Sequence, residues 1–311
     1  MKPMSCDGDP SDKRRGWRYV VITPCKNDAL LLPCIFGSLL TQTVRPDRWV
    51  IVDDNSSDWT FSLATSLAQR YDWIHVARME EGNKGRRRSG GATAFLSGYE
   101  LVKDLAFDFV ANLDADVSLP PDYFERIFEL FESDQSLGIC GGHCYNLGPD
   151  RTIRKEWVPD EHVRGATKLY RKACFDSIGG VVACEGWDTI DETYAQIKGW
   201  KTKSVDSPGV LHLGRVSSVG GVLRAGMQHG RDAYYLGYHP LFVLARFIRL
   251  CFSSPFVFCG TAFMFGFLLS AGRGEERFAD PEMRHYLRRQ QQERLRHCLR
   301  ELRTWLSGAH P

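Results

Sequence analysis

Trp49-Val50-Ile51-Val52-Asp53-Asp54 sets four apolar, β-prone residues directly ahead of two carboxylates. A run this short and apolar predicts a strand buried on both faces, its C-terminal end opening onto polar chemistry. The same pattern recurs on either side. Upstream, Arg18-Tyr-Val-Val-Ile-Thr23 is a β-rich run stopped by Pro24; downstream, Trp73-Ile-His-Val76 is a third strand. A fourth, Phe107 to Leu113, ends at Asp114-Ala115-Asp116. Between them lie segments with helical spacing: Ala29 to Thr41, Trp59 to Arg70 behind a cap from Ser57 or Asp58, and Ala92 to Lys103. Alternating strands and helices predict an α/β fold of parallel βαβ units, with ligands at the carboxyl ends of the strands. Pro24, Asp53-Asp54 and Asp114-x-Asp116 all fall at such ends.

The rest of the chain agrees with a globular protein. Its 311 residues carry 40 Lys+Arg against 38 Asp+Glu, a formal charge of +2 that gives no sign of a nucleic-acid partner. With 43% hydrophobic and 25% charged residues, disordered, collagenous and multi-span membrane chains are excluded. The 10 cysteines follow no repeating spacing, and most sit in apolar runs, as reduced thiols in a cytosolic compartment would. Cys140-Gly-Gly-His-Cys144 lacks a second ligand pair for zinc and reads as structural. Residues 1–17 are a polar tail with no secretory signal.

Beyond Asp116 the pattern predicts a helix from Pro121 to Glu132, a strand from Leu137 to Gly141, and helices from Arg171 to Ile178 and Thr189 to Lys198. Strands follow around Lys203 and from Val210 to Leu213. Residues 226–279 read as an amphipathic to hydrophobic helical hairpin, broken at Ser253-Ser254-Pro255, and 280–311 as a helix capped by Asp280 with Pro281 at its first position. The uncharged run from Cys251 to Ala271, as a helix of about 30 Å, is just long enough to span a bilayer. Arginines flank it on both sides (Arg246 and Arg249; Arg273 and Arg277), which favours a hairpin held on one cytosolic leaflet over a crossing.

An Asp-x-Asp at a strand end can hold Mg²⁺ or Mn²⁺ or can be a solvated turn; Asp53-Asp54-Asn-Ser-Ser-Asp58 can equally be an acidic turn with a helix cap. Order and spacing favour the functional reading. Pro24-Cys-Lys-Asn-Asp28, then Asp53-Asp54, then Asp114-x-Asp116 resemble the nucleotide-sugar half of family 2 glycosyltransferases. The resemblance continues through Gly165-Ala-Thr-Lys-Leu-Tyr-Arg-Lys172, Ile178-Gly-Gly180 and Gly186-Trp-Asp188, and covers Arg18 to Leu213.

That resemblance implies a GT-A fold over residues 18–225 with a Rossmann-like nucleotide-binding half, followed by a C-terminal helical membrane-associated extension. It implies an inverting enzyme that moves a sugar from a UDP- or GDP-linked donor to a hydroxyl acceptor, in glycan or glycolipid synthesis at the cytoplasmic face of the membrane. Thr23, Pro24, Lys26, Asp28, Asp54, Arg88 and Asp114 would bind the nucleotide sugar, with Lys26 standing where the family usually has tyrosine. Asp114 would meet the ribose or the metal, and Asp116 and His212 the metal. Asp188 would be the general base, with Asp191 and Glu192 as rivals and helix capping as its structural alternative. Other readings remain open: a polyprenyl-phosphate sugar synthase, whose anionic acceptor needs no base, a sugar-1-phosphate nucleotidyltransferase, and a non-catalytic GT-A binding module.

Overall fold

The computed structural model describes residues 16–79, 90–147, 152–214, 219–252 and 256–306. The chain divides into two compact units, residues 1–216 and 217–311.

The first unit is built on one mixed sheet. Strands β1 (Tyr19–Cys25), β2 (Arg48–Asp53), β3 (Ile74–Arg78) and β4 (Phe109–Leu113) are parallel and ordered β3-β2-β1-β4. Helices α1 (Leu32–Leu40), α2 (Thr60–Ala68) and α3 (Gly90–Glu100) connect them as the alternating pattern requires. Both faces of the strands are covered. Tyr19, Val21, Trp49 and Ile51 face one core, and Val20, Ile22, Val50 and Val52 the other. Helix α3 lies so close to the sheet that a Cβ at Gly98 would come within 2.6 Å of Ile22 Cγ2 and 2.8 Å of Val52 Cγ2.

The sheet then changes direction. After the short β5 (Val117–Ser118) and helix α4 (Tyr123–Ser133) come β6 (Leu137–Leu147), β7 (Ile153–Lys155) and β8 (Thr167–Arg171). Helices α5 (Lys172–Ser177) and α6 (Trp187–Ile197) and strand β9 (Lys201–His212) complete the unit. Strand β8 is antiparallel to β4 and β6, β9 runs parallel to β6, and β5 closes the edge antiparallel to β9. The sequence expectation missed β8 and extended a helix over Arg171; it also ended β6 at Gly141 and split β9 in two. The buried Lys168 explains the first miss, because a lysine inside a strand core disrupts the apolar pattern that marks strands.

In the second unit, α7 (Val219–Tyr235) crosses residue 225 without a break and packs on α9 (Phe258–Gly272) through glycines. A Cβ at Gly230 would fall within 2.7 Å of Phe267 N, and one at Gly266 within 2.9 Å of Met227 Cα. Helix α8 (Pro240–Cys251) and α10 (Pro281–Leu306) complete it. Asp280 caps α10 as expected: its Oδ1 accepts from Glu282 N at 2.8 Å and Met283 N at 3.2 Å. Among the described residues, no helix is long and apolar enough to cross a membrane.

Candidate active site

The loops that follow β1 and β2 latch into each other. Asn27 N donates to Ser56 Oγ at 3.0 Å, Ser57 N to Asn27 Oδ1 at 2.8 Å, and Asp28 N to Thr60 Oγ1 at 2.8 Å. Asn27 and Asn55 take the left-handed backbone conformation, φ 59° and 53°, which asparagine tolerates better than most residues. The two adjacent aspartates have different duties. Asp53 is fully buried, sits 3.2 Å from Arg78 Nε and accepts from Ser56 N, so it holds the turn. Asp54 is half-buried and lies where α3 begins, with a Cβ at Gly90 reaching 3.4 Å from its Oδ2.

Lys26 pairs with Asp54 Oδ2 at 2.9 Å, while its own backbone N–H donates to Asp28 Oδ2 at 2.8 Å. The cation that stands where the family usually has tyrosine therefore sits on Asp54, one of the carboxylates expected to bind the nucleotide sugar. Being largely exposed, the pair is worth little to stability. Pro24 is half-buried at the end of β1. Thr23, expected at the nucleotide sugar, has a fully buried side chain whose Oγ1 accepts from Trp49 Nε1 at 2.9 Å, so the hydroxyl is engaged in the sheet core. Arg88, with Arg86 and Arg87, lies outside the described residues.

The acidic pair after β4 meets its histidine through strand pairing. Antiparallel pairing sets Val117 opposite His212, and Leu213 N donates to Asp116 O at 2.6 Å. Ligand atoms of Asp114, Asp116 and His212 consequently lie within 4.8 Å of one another. His212 Nε2 is 3.3 Å from Asp116 Oδ1, which is buried and has no other partner. A Cβ at Gly214 would come within 2.6 Å of Asp116 Oδ2, so only glycine leaves that carboxylate its space.

Burial, and then the neighbouring Asp116, push the Asp114 carboxyl up to about 6; contact with Asp116 raises the His212 imidazole above its ordinary value. Two crowded carboxylates joined to one imidazole form an oxygen-rich donor set suited to a hard divalent ion. The residues fit such an ion.

Sequence reasoning missed Asn146. Parallel β6–β9 register sets it opposite His212, and the His212 Nδ1–H donates to Asn146 Oδ1 at 3.1 Å, turning Nε2 towards the carboxylates. No local signal marks this asparagine, because only the register of two distant strands creates the contact. Arg164 was also missed. Its Nε lies 3.2 Å from Glu156 Oε2, and Glu156, Asp188 and Asp114 together keep its guanidinium charged against burial. Cys140 and Cys144 are buried thiols, each pushed up to about 12 by burial, and His143 beside them is buried with Nε2 3.3 Å from Asp160.

Asp188 stands in the first turn of α6, which opens at Gly186 with φ 72°. The expected rivals have other work. Asp191 is fully buried against Lys168 Nζ at 2.9 Å and also accepts from Tyr170 Oη. Glu192, 5% exposed, lies 3.1 Å from the same ammonium and accepts from Val163 N at 2.7 Å and His162 Nδ1 at 2.8 Å. Lys168 Nζ also donates to the Asp188 carbonyl at 2.7 Å, anchoring the helix start beneath the one carboxylate of the three that is not buried. Gly186 at the N-cap offers no side chain to the helix, and Asp188 is the acidic residue of its first turn.

Residues 20–186 match the family described as glycosyl transferase family 2, and the chain belongs to that family. Over 116 residues it is 31% identical to the beta-monoglucosyldiacylglycerol synthase of Synechocystis, covering 36% of this chain and 22% of that one. Over 132 residues it is 28% identical to the polyprenol monophosphomannose synthase of Mycolicibacterium smegmatis, covering 42% of this chain and 47% of that one. The chain thus matches less than half the length of either relative. Among solved structures, the mannosyltransferase PcManGT of Pyrobaculum calidifontis, in complex with GDP-Man and Mn²⁺, superposes with a TM-score of 0.55 at 15% identity. That match covers 86% of this chain and 76% of the other, and establishes the GT-A fold.

Proposed function

We propose that the chain is an inverting, metal-dependent glycosyltransferase that moves a sugar from a nucleoside-diphosphate donor to a hydroxyl on a glycan or lipid-linked acceptor. The observation that carries this reading is the meeting of Asp114, Asp116 and His212 at the end of β4, in the same sheet whose β1 and β2 ends present Pro24, Lys26, Asp28 and Asp54. These loop residues hold the nucleoside, and Arg88 is assigned to the nucleotide as well. A divalent ion, Mg²⁺ or Mn²⁺, supplies positive charge for the departing diphosphate. The donor C1–O bond breaks while the acceptor oxygen bonds to C1 from the opposite face, and Asp188 takes the acceptor's proton. The solved relative with GDP-Man and Mn²⁺ supports a nucleotide-sugar donor; UDP- and GDP-linked sugars are the donors to test.

Attachment to the cytoplasmic face of the membrane is part of the proposal. It is supported by exposed Leu241, Leu244, Ile248 and Phe252 along and just beyond α8, by Phe258, Phe265 and Leu268 on α9, and by the arginines nearby. The match to a polyprenol monophosphomannose synthase favours one second reading, in which the acceptor is a lipid phosphate.

A screen of UDP- and GDP-sugars, with Mn²⁺ or Mg²⁺, tests the function. Turnover of one donor, abolished by chelator and by Asp116→Asn with the fold intact by circular dichroism, is the expected result. Turnover unchanged in Asp116→Asn would overturn the metal assignment, and no turnover or nucleotide binding with any donor would favour a non-catalytic module.

A further inference from the structure

The second unit holds a cationic cavity that the proposed chemistry does not use. It measures about 600 Å³, and Arg288, Arg289, Arg296, His239, His285 and Gln292 line it; no carboxylate does. Arg288 Nε is fixed by Gly237 O at 2.6 Å, and Arg289 leans on the exposed Glu293 at 3.2 Å. Arg277 and Arg284 add further positive charge beside Arg288, and together with burial they push its pKa down. Such an accumulation of like charge is unfavourable until an anion enters.

The cavity also borders the start of α8, whose cap is His239 and whose first residue, Pro240, completes the lining. The positive end of that helix adds to the field. From the same rim runs the apolar stripe of α8: Leu241 is 62% exposed, Leu244 47% and Ile248 49%, with Phe252 at 77% just beyond. A positive pocket continued by an apolar strip is complementary to a phosphate joined to hydrocarbon.

We propose that this cavity binds the anionic phosphomonoester headgroup of a membrane lipid, with the lipid's chains along the α8 stripe. The proposal rests on the membrane-surface reading above and gives it a specific headgroup. Free phosphate shares the headgroup chemistry but has no use for the stripe.

The test uses the full chain and sedimentation with vesicles of phosphatidylcholine alone or containing phosphatidic acid. Binding should be tighter with phosphatidic acid. Arg289→Gln/Arg296→Gln should weaken that binding roughly 30-fold and leave binding to pure phosphatidylcholine unchanged. Arg300→Gln/Arg303→Gln removes the same charge from exposed α10 positions outside the lining and should cost far less. Equal losses in the two double variants would mean a diffuse field and no site. Equal binding of wild type to both vesicles would overturn the pocket while the membrane reading stands; binding to neither would overturn both. Calorimetric binding of inorganic pyrophosphate that depends on Arg289 and Arg296, without any preference for phosphatidic acid, would overturn the lipid assignment in favour of a soluble phosphate.

Discussion

Replacing Asn146 with leucine should weaken metal binding at the proposed site without touching any of its three proposed ligands. The His212 Nδ1–H donates to Asn146 Oδ1 at 3.1 Å, and the opposite nitrogen faces Asp116 Oδ1 at 3.3 Å. That hydrogen bond keeps Nδ1 protonated and holds Nε2 towards the carboxylates, where its proton would be given up to a bound metal. Leucine is similar in size but cannot accept, so the ring loses both its fixed tautomer and its orientation. Losses of this kind cost about 10- to 100-fold in metal affinity, or roughly 1.4–2.7 kcal/mol. The assay is calorimetric titration of Mn²⁺ in saturating UDP or GDP. Asn146→Asp keeps the acceptor and adds a charge, so it should bind Mn²⁺ at least as well as wild type. In a His212→Ala background, Asn146→Leu should have no further effect, because the two residues act through one contact. Affinity within twofold of wild type in Asn146→Leu, or a full second loss on top of His212→Ala, would refute the reasoning.

Asp188→Asn should cut transfer by a factor of about 10² to 10⁴ while nucleotide affinity stays near wild type; undiminished transfer would instead suit an anionic phosphate acceptor, which needs no base. Lys168→Met should destabilise the first unit by about 3–5 kcal/mol in urea melts, since it strands the buried Asp191 and Glu192 carboxylates, whereas Lys168→Met/Asp191→Leu should recover part of the loss. Mn²⁺ affinity should climb as pH rises through about 6, where Asp114 gives up its proton, and His212 should extend that rise. The metal-free protein follows the opposite sign. Asp114 and His212 both bind protons more tightly folded than unfolded, so their stabilising contribution, present at low pH, is lost as pH rises through their folded values. The melting shift produced by Mn²⁺ should therefore grow from pH 5 to pH 7.5; a shift independent of pH would count against proton release from this site.

Which parts of this site were legible depended on how far along the chain each cause lies. The strands β1 to β4 were readable because their buried faces need uninterrupted Val, Ile and aromatic runs, and the same geometry fixes where their polar ends must fall. Two adjacent aspartates at such an end were visible, but not their division of labour. Strand alternation alone sends neighbouring side chains to opposite faces, and only Arg78 on β3 shows that Asp53 is the one consumed by structure. Likewise Thr23 carries the right chemistry at the right strand, yet the Trp49 indole on the neighbouring strand claims its hydroxyl. The hidden strand β8 shows the same limit at the level of the fold. Lys168 can be fully buried only because Asp191 and Glu192 arrive from a helix some twenty residues later, and a pattern read in short windows cannot know that they will. That dependence also has a functional side. The ammonium that makes β8 a viable strand is the group that donates to the Asp188 carbonyl, so the stability of the strand and the placement of the proposed base rest on one buried charge.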